Sequence, residues 1–193
     1  MMKNKLGVIV GSNRRESINR RLAQALTRLA SNAFEAKFLQ IDDLPIYNQD
    51  QEQPLPAPVA RFKAEIEAGD ALLFVTPEHS RSIPAVLKNA IDWGARPWGK
   101  SSWTGKPAAI IGTANGAIST AVAQHHLRAV LGSGVGLHVM GGEAYIQFNP
   151  DLIDAQGNVS NENVCKFLKA YIDQFAAFAG RLAGQPAATP AAA

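Results

Sequence analysis

Residues 6–10 restrict the fold of this chain more than any other feature: the run is short, continuously apolar and rich in β-branched side chains. A strand reads this way when both of its faces are covered. A polar loop follows, and then Ile18, Leu22, Ala25, Leu26 and Leu29 recur at helical spacing. The same alternation continues down the chain. Strands are predicted at residues 36–41, 71–75 and 107–112, with a fifth starting in 137–140. Helices are predicted near 59–67, from Pro84 through Val86, Leu87, Ala90 and Ile91, and near 118–131. Val164, Phe167, Leu168, Tyr171, Phe175 and Phe178 form the clearest amphipathic stripe, the closing helix. Alternating strands and helices imply an α/β chain with a parallel sheet between two helical layers.

Five strands fit the flavodoxin-like three-layer sandwich, with sheet order 2-1-3-4-5. In that order strands 1, 3 and 4 are neighbours, and ligands bind beyond their carboxyl ends. A chain of 193 residues that is 47% hydrophobic and 18% charged suits one domain, expected over 1–183. An Ala/Pro-rich tail without a functional signal is expected over 184–193.

Composition removes several classes. One cysteine, Cys165, excludes a disulfide framework or a multi-cysteine site. His79, His125, His126 and His138 match neither HExxH nor a Cys/His finger, so no metal site is expected. The first apolar stretch is too short for a signal-peptide core and no later one would span a bilayer, so a cytoplasmic setting without membrane contact is expected. The isoelectric point near 9.1 accompanies a net charge of only +3. Its dense basic cluster is Arg14, Arg15, Arg20 and Arg21, in the first loop and helix. Without an RNP motif or an aromatic-rich basic stripe, a small-molecule phosphate explains these arginines better than nucleic acid does.

Three loops therefore carry the functional reading. The first, residues 11–19, leaves a strand and enters a helix, where backbone N–H groups and the helix dipole favour an anion. Ser12 and Ser17 offer hydroxyls, Asn19 an amide and Arg14 a charged fork. An ordinary helix cap at Ser17 would use the same residues differently. The second, residues 76–84, is stiffened by Pro77 and Pro84 and carries Glu78, His79, Ser80 and Arg81. Its main chain can offer donors and acceptors to a flat heterocycle. The third holds Asn115, Gly116 and Ala117, small enough for a ligand to approach the backbone, or for a plain turn.

Gly-Ser-x-Arg-x-x-Ser-x-Asn at residues 11–19, Thr-Pro-Glu at 76–78 and Ser-Ile-Pro-Ala-Val-Leu-Lys-Asn-Ala-Ile-Asp-Trp at 82–93 resemble the NAD(P)H-dependent FMN reductases. Within these, the chain is most similar to the chromate/quinone/ferric reductase branch. Leu-Pro-Ile-Tyr-Asn at 44–48 and Gly-Lys-Pro at 105–107 extend the likeness over nearly the whole chain.

The resemblance implies FMN as cofactor and NADPH or NADH as co-substrate. Ser12, Arg14, Ser17, Ile18 and Asn19 would bind the FMN phosphate end. Pro77, Glu78, His79, Ser80 and Arg81 would line the ring, and Asn115, Gly116 and Ala117 would close its other edge. Hydride would pass to the ring, and hydride or electrons from the ring to a quinone, chromate, ferric complex or similar small-molecule acceptor, in ping-pong fashion and with no catalytic side chain. Arg81 and Arg96 are the expected anchors for an anionic acceptor or nucleotide phosphate. A homodimer or homotetramer is implied as well. The usual family loop reads Pro-Glu-Tyr-Asn where this chain has Pro77, Glu78, His79 and Ser80, so a titratable ring replaces an aromatic. The competing classes are a non-enzymatic flavodoxin-like electron carrier and a flavin-sensing module.

Gly94 to Ser101 formally matches a P-loop, yet it follows a predicted helix and contains Pro97, against the context that motif needs.

Overall fold

Strand β1 (Asn4–Val10) sends alternate side chains to opposite faces of a sheet buried on both sides, which is why its apolar run has no polar interruption. Leu6, Val8 and Val10 join one core and Ile9 joins the other. The computed structural model describes residues 3–154 and 156–183; the tail expected from residue 184 onward lies outside the described residues. The elements after β1 are α1 (Ile18–Leu29), β2 (Phe34–Phe38), α2 (Ala57–Glu67), β3 (Ala71–Val75), α3 (Ala85–Ala95), β4 (Pro107–Ala114), α4 (Ala121–Ala129), β5 (His138–Val139), β6 (Tyr145–Gln147) and α5 (Glu162–Ala183).

The sheet order is β2-β1-β3-β4-β5, all parallel. Helices α1 and α5 cover one face through Leu22, Leu26, Leu168 and Phe175. On the other face α2 and α3 bring Phe62, Ile66, Leu87 and Ile91. Predicted fold class and order agree with the structure.

The differences are local. Strand β2 runs over Phe34–Phe38 instead of 36–41, because its register with β1 ends at Val8↔Phe38. Leu39 and Ile41 remain buried beyond it and close the core at the carboxyl edge. The helix predicted near 118–131 begins at Ala121, since Ser119 takes a left-handed φ of 54°. A π-helical turn, Val130–Gly134, then follows α4. A sixth strand was not anticipated. Strand β4 is eight residues long and outreaches β5, so its second half pairs with β6 from Gly112↔Tyr145 to Ala114↔Gln147.

The P-loop-like glycine has a packing role. A Cβ at Gly94 would lie 2.3 Å from the buried Trp103 indole.

Candidate active site

The loops after β1, β3 and β4 are fastened to one another before any ligand is considered. Gly11 N–H donates to the Val75 carbonyl at 2.9 Å, and Thr76 N–H donates to the Ile111 carbonyl at 3.0 Å. Gly112 lets the main chains approach closely, since a Cβ there would sit 2.1 Å from the Thr76 carbonyl oxygen.

Ser17 caps α1 by accepting from the Arg20 N–H at 3.3 Å, and Ser12 Oγ accepts from the Arg14 N–H at 3.4 Å. Both hydroxyls thereby keep their own hydrogens for a further acceptor. Glu16 pairs with Arg21 at 3.4 Å and α1 has no acid in its first turn, which leaves Arg14 without an acidic partner among the described residues. Asn19 departs from its expected role. It is buried, its Nδ2 donates to the Thr113 carbonyl at 3.0 Å, and its Oδ1 accepts from the Thr113 N–H at 3.0 Å. Its amide bolts α1 to β4, and this pair uses one of the two Nδ2 hydrogens.

Glu78 is likewise engaged. Its carboxylate accepts from the Ala123 N–H at 3.0 Å, capping α4 from outside that helix, and from Arg81 at 3.0 Å. His79 and Ser82 exchange backbone hydrogen bonds of 3.0 and 2.9 Å around Ser80 and Arg81, whose φ values are 49° and 61°. Two consecutive left-handed residues without a glycine are strained, and a tight turn of this form holds them. The Ser82 hydroxyl meets His126 Nδ1 at 2.8 Å, tying the turn to α4. In the third loop, the Ile146 carbonyl accepts from the Thr113 and Ser119 hydroxyls at 2.7 and 2.6 Å. Gln147 holds the Asn115 carbonyl at 2.9 Å. The unanticipated β6 is thus what braces the third loop.

Between these loops lies a cavity of about 360 Å³. Of the residues proposed from sequence, Ser12, Arg14, Ser17, Ile18, Asn19, Pro77, Glu78, His79 and Asn115 line it. Asn13, Thr113 and Ala114 also line it and were missed, although Thr113 and Ala114 end a strand at the carboxyl edge where ligands gather. Ser80, Arg81, Gly116 and Ala117 belong to the surrounding loops without lining the cavity. Arg96 is not brought there. It follows the far end of α3, where its Nε donates to Glu52 at 2.6 Å. The same Glu52 oxygen accepts from the Tyr47 hydroxyl at 2.7 Å.

Residues 4–151 match the family described as NADPH-dependent FMN reductase. The chain belongs to that family. It is 48% identical over 177 residues to the 2-hydroxy-1,4-benzoquinone reductase of a Burkholderia species, covering 92% of this chain and 97% of that protein. It is 44% identical over 174 residues to a quinone reductase of Pseudomonas putida, covering 90% and 93%. The solved structure of the flavoenzyme NAD(P)H:(acceptor) oxidoreductase FerB from Paracoccus denitrificans superposes with a TM-score of 0.89 at 44% identity, over 92% of this chain and 98% of that one. As an FMN reductase family member, the chain is an oxidoreductase that works with FMN, NAD(P)H and a small-molecule electron acceptor. The non-enzymatic carrier and sensor readings are thereby set aside. Among the described residues no helix is long and apolar enough to cross a membrane.

Proposed function

We propose that the cavity between the three loops holds FMN and that the enzyme reduces quinones with electrons from NAD(P)H. The residues present fit that cofactor. Two hydroxyls with free hydrogens, an Arg14 guanidinium without an acidic partner among the described residues and a first helical turn without acids share one wall, a donor set suited to a phosphate dianion. This convergence is the observation that carries the reading.

When bound, FMN supplies the ring that takes up and releases hydride. The chain contributes geometry and charge. Ser12 and Ser17 donate to phosphate oxygens, and Arg14 neutralises them. Asn19 and Glu78 act as positioning residues, holding the first loop to β4 and the second loop to α4. Pro77 and the strained turn at Ser80 and Arg81 would fix the main chain next to the bound ring, so that its donors would need no reorganisation as charge develops there. His79 and Asn115 line the cavity and would face the bound ring, and Gly116 and Ala117 continue the Asn115 loop. Arg81 is well exposed next to Glu78 and offers an anchor to an anionic acceptor or nucleotide phosphate at the rim. Arg96 is better matched to holding the 42–56 connection, because it is far less exposed than Arg81 and its Nε is bound by Glu52.

Quinones are the favoured acceptors because two relatives with extensive coverage carry quinone reductase names. Chromate and ferric complexes are further acceptors to compare. Exposed Ile118, Val122 and Tyr145 near the third loop support a homodimer or homotetramer, and a cytoplasmic setting suits an NAD(P)H consumer with a single cysteine.

The experiment is anaerobic mixing of FMN-loaded protein with NADH or NADPH, followed at the flavin absorption band. Rapid bleaching, then recovery on adding a quinone, is expected. Bleaching without recovery by quinone while chromate or ferric complex restores colour would reassign the acceptor. No bleaching with either nucleotide overturns the reading.

A further inference from the structure

A second cavity, of about 320 Å³, lies between the carboxyl ends of β1 and β2. It shares Ser12 with the first cavity, so the two adjoin across one side chain of the first loop. Phe38, Gln40 and Asp42 come from the β2 end and Arg20 from the first turn of α1. Parallel pairing of Val8 with Phe38, and the Leu39 N–H donating to the Val8 carbonyl at 2.9 Å, fix the floor of this crevice.

The polar groups here are unevenly matched. Arg61 donates to the Gln40 carbonyl at 3.1 Å and pairs with Asp43 at 2.9 Å, fastening the segment after β2. Asp42, next to that paired acid, has no partner among the described residues. Arg20 has no carboxylate partner among them either; its guanidinium lies over the Phe38 ring at 5.9 Å.

We propose that this crevice is an adenylate subsite, taking the adenosine monophosphate half of a dinucleotide whose other half reaches the adjoining flavin cavity. The proposal rests on the FMN reading of that first cavity. In a strand–helix–strand unit that binds a dinucleotide, phosphate lies at the helix N-terminus and an acidic residue beyond the second strand accepts from the ribose hydroxyls. Here β1, α1 and β2 form a strand–helix–strand unit, and Asp42 follows the second strand and lines the crevice with Arg20. Arg20 meets the phosphate and Asp42 the ribose diol, while Phe38 and Gln40 offer an apolar face and an amide to adenine. Because a carboxylate repels a phosphate on the 2′ oxygen, the subsite favours an unphosphorylated ribose. The adenylate has two possible sources, FAD in place of FMN, or NADH arriving over bound FMN.

Binding of 5′-AMP to the wild-type protein, by calorimetry, is the first measurement. Binding is expected, and Asp42→Ala and Arg20→Ala should each weaken it by about fivefold or more, the scale of one lost hydrogen bond. Both side chains are exposed, so both variants should fold. Flavin fluorescence titrations then separate the sources. If Asp42→Ala weakens FAD by about fivefold and FMN by less than about twofold, the subsite serves FAD. If neither flavin changes but KM for NADH rises by that factor at constant kcat, it serves NADH. Absent AMP binding, equal binding by both variants, or tighter binding in Asp42→Ala overturns the proposal. AMP binding that depends on Asp42 in a protein with no affinity for FMN would sustain the subsite and sink the flavin reading instead.

Discussion

Residues 11–17 after β1 and residues 42–56 after β2 both leave the carboxyl edge of the sheet, and both are polar, yet they end in opposite states. Past Asp42, the longer connection closes its polar groups at Pro45, Tyr47 and Glu52 on the protein itself. Asn89 accepts from the Tyr47 N–H at 2.7 Å and donates to the Pro45 carbonyl at 2.9 Å, while Trp93 donates to the same carbonyl at 2.7 Å. Tyr47 and Arg96 then converge on Glu52. In the shorter loop the backbone is pinned, but Arg14 and the hydroxyl hydrogens of Ser12 and Ser17 are left unmatched. A binding loop is a fixed main chain carrying unsatisfied side chains. Polarity alone does not mark it.

The sharpest way to break this contrast is to unpin the short loop's surroundings. Gly112→Ala puts a methyl against the Thr76 carbonyl in the centre of the sheet. We expect a loss of about 3 kcal/mol or more, the upper end for overpacking, read as a lowered urea midpoint. Gly116→Ala, with no atom within 4 Å of the new Cβ, should change stability by less than about 0.5 kcal/mol. Equal effects would show that close packing at Gly112 does not hold the edge together.

Asn19→Ala removes the bolt and leaves the Thr113 N–H and carbonyl buried without partners. A cost of about 2–3 kcal/mol is expected from the unmet groups, with FMN and riboflavin affinity falling together, because the loop and not the phosphate contact is disturbed. If only FMN binding falls, Asn19 reaches the phosphate after all.

Arg14→Ala should act in the complementary way. FMN binding is expected to weaken by about 1.5–3 kcal/mol with little loss of stability, and riboflavin, which has no phosphate, should change far less. Arg96→Ala should leave FMN affinity where it was. Equal losses for FMN and riboflavin in Arg14→Ala, or an FMN loss in Arg96→Ala, would erase the distinction between the two regions.

Much of this arrangement is legible in the sequence, and the reasons for the rest are physical. Strands β1, β3 and β4 show as unbroken apolar runs because helices cover both faces, and the carboxyl-edge rule then points to the three loops. Strand β6 does not show, since Tyr145 and Gln147 are exposed, Ile146 is only partly buried, and the three pair solely because β4 outreaches β5. Nor does the occupation of Asn19, Glu78 and Arg96 show. Their partners are 94, 45 and 44 residues away in the chain, so composition and spacing identify the polar group but not whether it is already satisfied.

The smallest expected effect tests the self-satisfied half of the comparison by pH. The Tyr47 hydroxyl, and after it the Arg96 guanidinium, hold the Glu52 carboxyl below the ordinary glutamate range. A carboxyl lowered in the folded state adds stability that is present above its unfolded pKa, near 4.3, and is lost as pH falls through the folded value. Protonation removes the acceptor charge that both partners address, so the 42–56 connection should loosen in acid while the sheet persists. The paired variant Tyr47→Phe with Arg96→Ala returns Glu52 toward its ordinary value. Its stability should therefore lie below wild type at neutral pH, and the two curves should converge as the solution is acidified below about pH 4. Asp154 is also lowered, chiefly by the Asn158 N–H, but it lies in a different loop and contributes equally to both proteins. Denaturation midpoints of the two proteins across that range make the comparison. Curves that stay parallel into acid would mean that Glu52 adds no pH-linked stability, and that the long connection is held by Asn89 and Trp93 alone.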